Sequence, residues 1–215
     1  AGLAALGAGY AVAQVGTAGT HGSFSIDAAG AWSYTASSAH DEFVAGTTYT
    51  DSFSVAAVDG TTTTVTINIL GTNDAAVIGG TVSGNVIEAG GVANGTGNTP
   101  TASGTLTAAD VDNADDSFAV VSAPTLGANG YGSYTIDAGG NWTYALDNGH
   151  AAVQALNAGD TLTDSFSVAS IDGTSQTISI SIAGRNDAAV LTADTVGLTE
   201  TNAVLSTSGS LGISD

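Results

Sequence analysis

The stretch from Asp59 to Val77 returns almost intact as Asp172 to Val190, and this internal copy constrains the fold more than any other feature. Asp59-Gly60 answers Asp172-Gly173. Val65, Ile67 and Ile69 answer Ile178, Ile180 and Ile182, and Gly71-x-Asn73-Asp74 answers Gly184-x-Asn186-Asp187. From Asp74 to Asp187 the offset is 113 residues. Solenoid and propeller units repeat every ~20–50 residues, so a period this long implies one whole domain per copy. The sequence reads as a C-terminal part of a first repeat over 1–74, a complete β-sandwich repeat over 75–187, and the N-terminal strands of a third repeat over 188–215.

Within each copy the residues specify strands. Gly22-Ser-Phe24-Ser-Ile26-Asp27-Ala-Ala-Gly30-Ala-Trp32-Ser-Tyr34 alternates apolar and polar positions on two arms around a turn, and Gly132 to Tyr144 repeats it. Alternation with period two buries one face of a strand. Trp and Tyr two apart then share a face, which predicts an aromatic core in each sandwich. Thr50-Asp51-Ser-Phe53-Ser-Val55 alternates in the same way, turns at Asp59-Gly60 and returns through Val65, Ile67 and Ile69. An Asp-Gly pair between alternating runs predicts a type I′ hairpin turn. A further strand is expected at Tyr10–Val15 and a single helical turn around Ala151–Leu156. The expected fold class is all-β, as tandem β-sandwich repeats.

Charge narrows the partners. Arg185 is the only lysine or arginine, against 20 Asp and Glu, for a formal charge of −19. Such a field repels nucleic acid and anionic lipid. Dissolved cations are the expected counter-ions. Without cysteine or lysine there are no disulfides or lysine isopeptide links, which leaves metal as a staple. Residues 1–26 carry no charged side chain apart from the terminus, yet glycines and polar residues interrupt the run and no basic start precedes it, so no membrane span is expected.

The acidic residues fall where strand ends meet a linker. Asn73-Asp74 closes one repeat, Glu88 follows a strand of the next, and Asp110-x-Asp112 begins the densest acidic run. Strand ends of a sandwich meet at its poles, so these side chains are expected to converge on cations. Oxygen donors without His or Cys select calcium (Ca2+). Two bare carboxylates about 5 Å apart repel by roughly 0.8 kcal/mol even in water, so the joint should loosen without the ion. Asp59 and Asp172 are foremost turn residues, with ligation as a secondary role.

These spaced motifs together resemble the VCBS repeat of large bacterial surface and RTX-type adhesins, and more distantly the cadherin ectodomain. The resemblance covers essentially the whole chain. It implies tandem Ig-like or cadherin-like β-sandwich repeats, calcium at repeat junctions, secretion to the bacterial surface, and ligation by Asn73, Asp74, Glu88, Asp110 and Asp112, then Asn186, Asp187, Glu200 and Asp215. Cadherin's linker motif is longer than the one here. No Gly-x-Ser-x-Gly elbow, metal-binding His pair or phosphate loop is present, and the chain is read as non-enzymatic.

The expected role is therefore a calcium-stiffened extender of a secreted adhesin or surface filament that holds a distal binding domain away from the cell. Its partners would be neighbouring repeats or identical subunits, with any glycan or surface target engaged through other domains. Two alternatives stand beside it: a filament subunit assembled head to tail by strand complementation, and a carbohydrate-binding module using exposed aromatics such as Tyr131.

Overall fold

A computed structural model describes residues 11–95, 97–113 and 116–214. They divide into two compact units, one of residues 11–76 with 110–113, the other of 77–95, 97–109 and 116–214. Apart from a four-residue helix and one 3-10 turn at Val92–Asn94, the regular elements among the described residues are strands.

The first unit holds β1 (Gln14–Ala18), β2 (Gly22–Ile26) and β3 (Trp32–Ala36) in one antiparallel sheet, and β4 (Thr48–Ala56) with β5 (Thr62–Leu70) in another. Its core is Phe24, Ile26, Phe53 and Val55, with Phe24 stacked on Phe53 at a centroid distance of 4.8 Å. The alternation Phe24/Ile26 against Phe53/Val55 is what turns the two sheets toward each other. Offset aromatic pairs of this kind add to plain burial.

In the second unit β6 (Val77–Gly80), β8 (Thr101–Ala109), β11 (Asn141–Leu146), β10 (Gly132–Ile136) and β9 (Val121–Leu126) form a five-stranded sheet in the spatial order just given. Facing it are β12 (Thr161–Ala169), β13 (Ser175–Ala183) and β7 (Ser83–Ile87), with β7 parallel to β13. Trp142, Tyr144, Phe166, Ile178, Ile180, Ile182, Val86 and Leu106 are buried between the sheets. Tyr134 and Trp142 of one sheet meet Phe166 of the other at 4.2 and 5.7 Å. The expected helical turn is α1 (Ala151–Gln154), capped by His150, whose Nδ1 accepts the Ala152 N–H. Beyond it β14 (Val190–Leu191) pairs with β15 (Ile213–Ser214).

Three expectations are corrected. The first strand is β1 rather than Tyr10–Val15: Tyr10 lies outside the described residues, and pairing to β2 resumes only at Thr17 after an irregularity at Gly16, whose φ is 61°. The Asp-Gly turn is not type I′, since only Gly60 has positive φ (87°). Ala57 N–H donates to Thr61 O and Gly60 N–H to Ala57 O, which makes a three-residue loop closed by a left-handed glycine. The Asp59 carboxylate accepts the Thr61 N–H at 2.9 Å and holds Asp59 in the ordinary region. Lastly, Trp142 is 1% exposed but its counterpart Trp32 is 53% exposed. β8 covers Trp142, whereas among the described residues no strand pairs with the outer edge of β3.

Candidate metal site

Glu88 directly follows β7, and its position is set by the parallel pairing of β7 with β13. Its N–H donates to Ala183 O, and its Oε1 accepts the Arg185 N–H at 2.5 Å. Past β13 the chain continues beside 88–91: Gly91 N–H donates to Asn186 O, and Ala188 N–H donates to Gly91 O. Gly90 permits this approach, because a Cβ there would overlap Arg185 and the Asn186 carbonyl.

The carboxyl group so placed is wholly buried, and its Oε2 has no hydrogen-bond partner. Burial pushes the Glu88 pKa above the ordinary glutamate value of 4.5; the Asp187 charge pushes the same way and the Arg185 N–H opposes. Asp187 Oδ1 is likewise buried without a partner. Gln154 stands nearby: its Oε1 accepts from Asn94 Nδ2 at 2.9 Å, its Nε2 is buried and unpartnered, and with Asp187 it lines two cavities of about 300 and 270 Å³.

In the first unit Asp112 is buried, and its Oδ1 is the remaining buried side-chain oxygen without a partner among the described residues. Its N–H donates to Asp110 Oδ1. The Asp110 pKa is raised, by burial first and then by Asp112. Asn73 and Asn186 adopt matching geometry, each donating Nδ2 to the carbonyl of the following aspartate, at 2.7 and 2.5 Å.

The predicted residues are thus shared between units: Asn73, Asp74, Asp110 and Asp112 in the first, Glu88, Asn186, Asp187 and Glu200 in the second. Glu200 is exposed, and Asp215 lies outside the described residues. Among the described residues no three His, Cys, Asp or Glu side chains gather closely enough to hold a metal. Asp59 and Asp172 are spent on their own turns; Asp172 accepts from Ser170 Oγ, Thr174 N–H and Thr174 Oγ1.

The donor set fits a hard cation. Glu88 Oε2, Asp187 Oδ1 and Asp112 Oδ1 are buried carboxyl oxygens with no hydrogen-bond partner among the described residues. Leaving such a group dry and unpaired costs on the order of 1–3 kcal/mol or more, and a bound cation removes that cost. All-oxygen ligation suits calcium.

Two further buried acids escaped the sequence reading. Asp164 accepts from Asn129 N–H, Ser165 N–H, Tyr131 N–H and Tyr144 OH, the last at 2.8 Å. Asp51 repeats the arrangement with Thr20 N–H, His21 N–H and Tyr34 OH. Burial works against ionisation of Asp51, but these donors, led by the His21 N–H, hold its pKa below the usual range. Tyr34 is pushed up to about 12, by burial first and then by Asp51. The signal lay in the alternation, since Asp51 falls two before Phe53 and four before Val55 on the inward face. These acids tie a loop to the core and have no oxygen to spare for a metal.

No helix is long and apolar enough to cross a membrane among the described residues. Comparison with curated proteins returns no match. Among solved structures, one described as PcdhgB3 EC1-4 aligns over 81% of this chain at 13% identity with a TM-score of 0.33, and the chain spans 42% of its length. A family model for the bacterial cadherin-like domain matches residues 73–184, just over half of the sequence, and the chain belongs to that family.

Proposed function

We propose that this chain is a calcium-stiffened extender region of a secreted bacterial surface protein, with a mechanical rather than catalytic role. The observation that carries the reading is the set of buried carboxylate oxygens without partners at Glu88, Asp112 and Asp187, in a chain whose only lysine or arginine is Arg185. All three stand at positions where the sequence places ligands of a repeat junction. Membership of the bacterial cadherin-like family supports an adhesive or spacing role.

Glu88 and Asp187 would hold one calcium ion through Oε2 and Oδ1, with Asn186 beside them; Asp112 with Asp110 and Asp74 would serve the end of the preceding repeat. An ion bound only by the ordered joint stabilises it by mass action, about 2.7 kcal/mol at a hundred times Kd. Successive sandwiches then keep a fixed angle, and a chain of them acts as a rod that carries a distal binding domain outward from the cell surface.

The test is small-angle scattering in calcium and then in excess chelator, at two protein concentrations. The expected outcome is a particle that loses its long, fixed maximum dimension in chelator at both concentrations. Identical profiles with and without calcium would overturn the reading.

A further inference from the structure

We infer that His40 is a proton-operated clamp in the first unit: with both ring nitrogens protonated it pins the loop between β3 and β4 to His21 at the entry to β2, and when one proton leaves, the loop lets go. The device is independent of the calcium sites and goes beyond the extender reading.

The His40 side chain is only 8% exposed, and each ring nitrogen faces an oxygen that accepts. Nε2 donates to the His21 carbonyl at 2.7 Å, and Nδ1 donates to Glu42 Oε1 at 2.8 Å. A neutral imidazole has one N–H, so the two bonds together require the imidazolium. Ser37 Oγ donates to the same His21 carbonyl at 3.0 Å. Phe43 stacks on the His40 ring at 4.4 Å and on Tyr49 at 3.7 Å, while the His21 ring meets His40 edge-on at 5.7 Å. The charged and titratable groups around His40 are therefore Glu42 on its own loop, with exposed Asp41 between them in sequence, His21 at the entry to β2, and Tyr49 and Asp51 on β4. The Glu42 bond, and after it the His21 carbonyl, holds the His40 pKa above 6.5 against the effect of burial, and His40 in return holds Glu42 below 4.5.

The second copy holds the other state of the same slot. His150 answers His40, with Ala152 in place of Glu42 and Tyr131 in place of His21. The φ of His150 is −68°, and its Nδ1 accepts the Ala152 N–H, a bond that needs a lone pair and so a neutral ring. His40 instead has φ 60°, a region that a residue with a Cβ enters only at a cost. Its two charge-assisted bonds offset that cost, and loss of one proton removes one of them. The neutral ring then turns to cap the loop as His150 does. Both copies already share the turn this needs, since Phe43 N–H donates to His40 O as Val153 N–H donates to His150 O. Beyond Phe43 the loop grips the end of β5: Gly46 N–H donates to Gly71 O, Gly71 N–H donates to Thr47 O, and a Cβ at Gly71 would overlap the Phe43 and Val44 carbonyls. Release of His40 therefore loosens the chain at Gly71. Every contact of the clamp lies within residues 21–71.

The experiment is nuclear magnetic resonance of the 215-residue chain in chelator, following histidine ring nitrogens and amide exchange from about pH 5 to pH 9. Expected is a His40 ring that carries protons on both nitrogens and titrates with a midpoint above 6.5. Because the folded state binds that proton more tightly, the clamp is closed below 6.5 and opens as pH climbs through the raised value. Protection of the Gly46 N–H, corrected for intrinsic exchange, should fall by about tenfold through the same midpoint. Glu42→Gln changes a side chain that is 60% exposed, so the fold should persist while the His40 midpoint drops. His40→Gln should remove the pH dependence of Gly46 protection. A midpoint at or below 6.5, a midpoint unmoved by Glu42→Gln, or Gly46 protection that ignores the titration would overturn the inference.

Discussion

At the scale of single residues, the same chemical group serves two opposite ends. Asp164 and Asp51 are buried with donors on their oxygens, so each carboxylate is a structural tie. Glu88 is buried with one oxygen bare, a cost that a bound cation would relieve. Asp164→Ala should strand the Tyr144 hydroxyl and the Asn129 and Tyr131 N–H groups, costing about 3 kcal/mol, read as a lower urea midpoint with unchanged slope. Glu88→Gln should do the reverse in chelator. It removes a buried charge next to Asp187 while keeping an acceptor for Arg185 N–H, so stability in chelator should rise by about 1 kcal/mol while calcium affinity falls at least tenfold. Titration separates the two acids. Because the Glu88 pKa is raised in the folded state, folding is favoured below the ordinary value of 4.5 and that advantage fades as pH climbs through the raised value. Protons also compete with calcium across that window, so calcium affinity should drop as pH falls through it. The Asp51 pKa is depressed, so its contribution is present above 3.8 and is lost as pH falls through the folded value. Urea titrations at stepped pH in chelator, beside calcium titrations at the same pH, would show whether the two trends have these opposite signs.

At the scale of elements, what distinguishes the units among the described residues is that β11 has β8 on its outer edge and its twin β3 has no strand paired there. β8 fits over β11 because Gly104 leaves room for the Trp142 ring, whose Nε1 donates to Thr81 O at 2.9 Å. A Cβ at Gly104 would lie 2.6 Å from the indole and 2.7 Å from Thr81. Gly104→Val should therefore overpack the interface and destabilise the second unit by about 2 kcal/mol, with loss of the Trp142 near-ultraviolet dichroism. The hairpins behave more uniformly. Gly30, Gly60, Gly140 and Gly173 all take φ between 80° and 93°, each closing a three-residue loop, so Gly173→Ala should cost about 1 kcal/mol through backbone strain alone.

For the whole molecule, the excess of acid makes solution cations part of its energetics. With a formal charge of −19, monovalent salt should raise the thermal midpoint modestly by screening, and calcium should raise it further at equal ionic strength. Equal midpoints in calcium and in magnesium-free chelator buffer at matched ionic strength would count against specific ligation. The wild-type chain should also lose most of that calcium increment when both Glu88 and Asp112 are made neutral, a loss that scanning calorimetry would read directly.

The all-β class, the paired hairpins and the 113-residue repeat were legible before any coordinates, because period-two alternation and turn residues are local properties written along the chain. Asp51 and Phe53 show how far that goes: the alternation put both on the inward face, and the buried carboxylate could have been read from it. The turn type at Asp59-Gly60 could not, since the Asp59 bond to Thr61 N–H decides which residue takes positive φ. Trp32 and Trp142 mark the larger boundary. They occupy equivalent places in nearly the same motif, yet one is covered and the other exposed, because burial depends on which strand reaches the edge. For the acids, sequence spacing singled out Glu88, Asp112 and Asp187, but only tertiary structure left one oxygen of each without a donor. Charge and pattern belong to the chain; desolvation belongs to whatever packs around it.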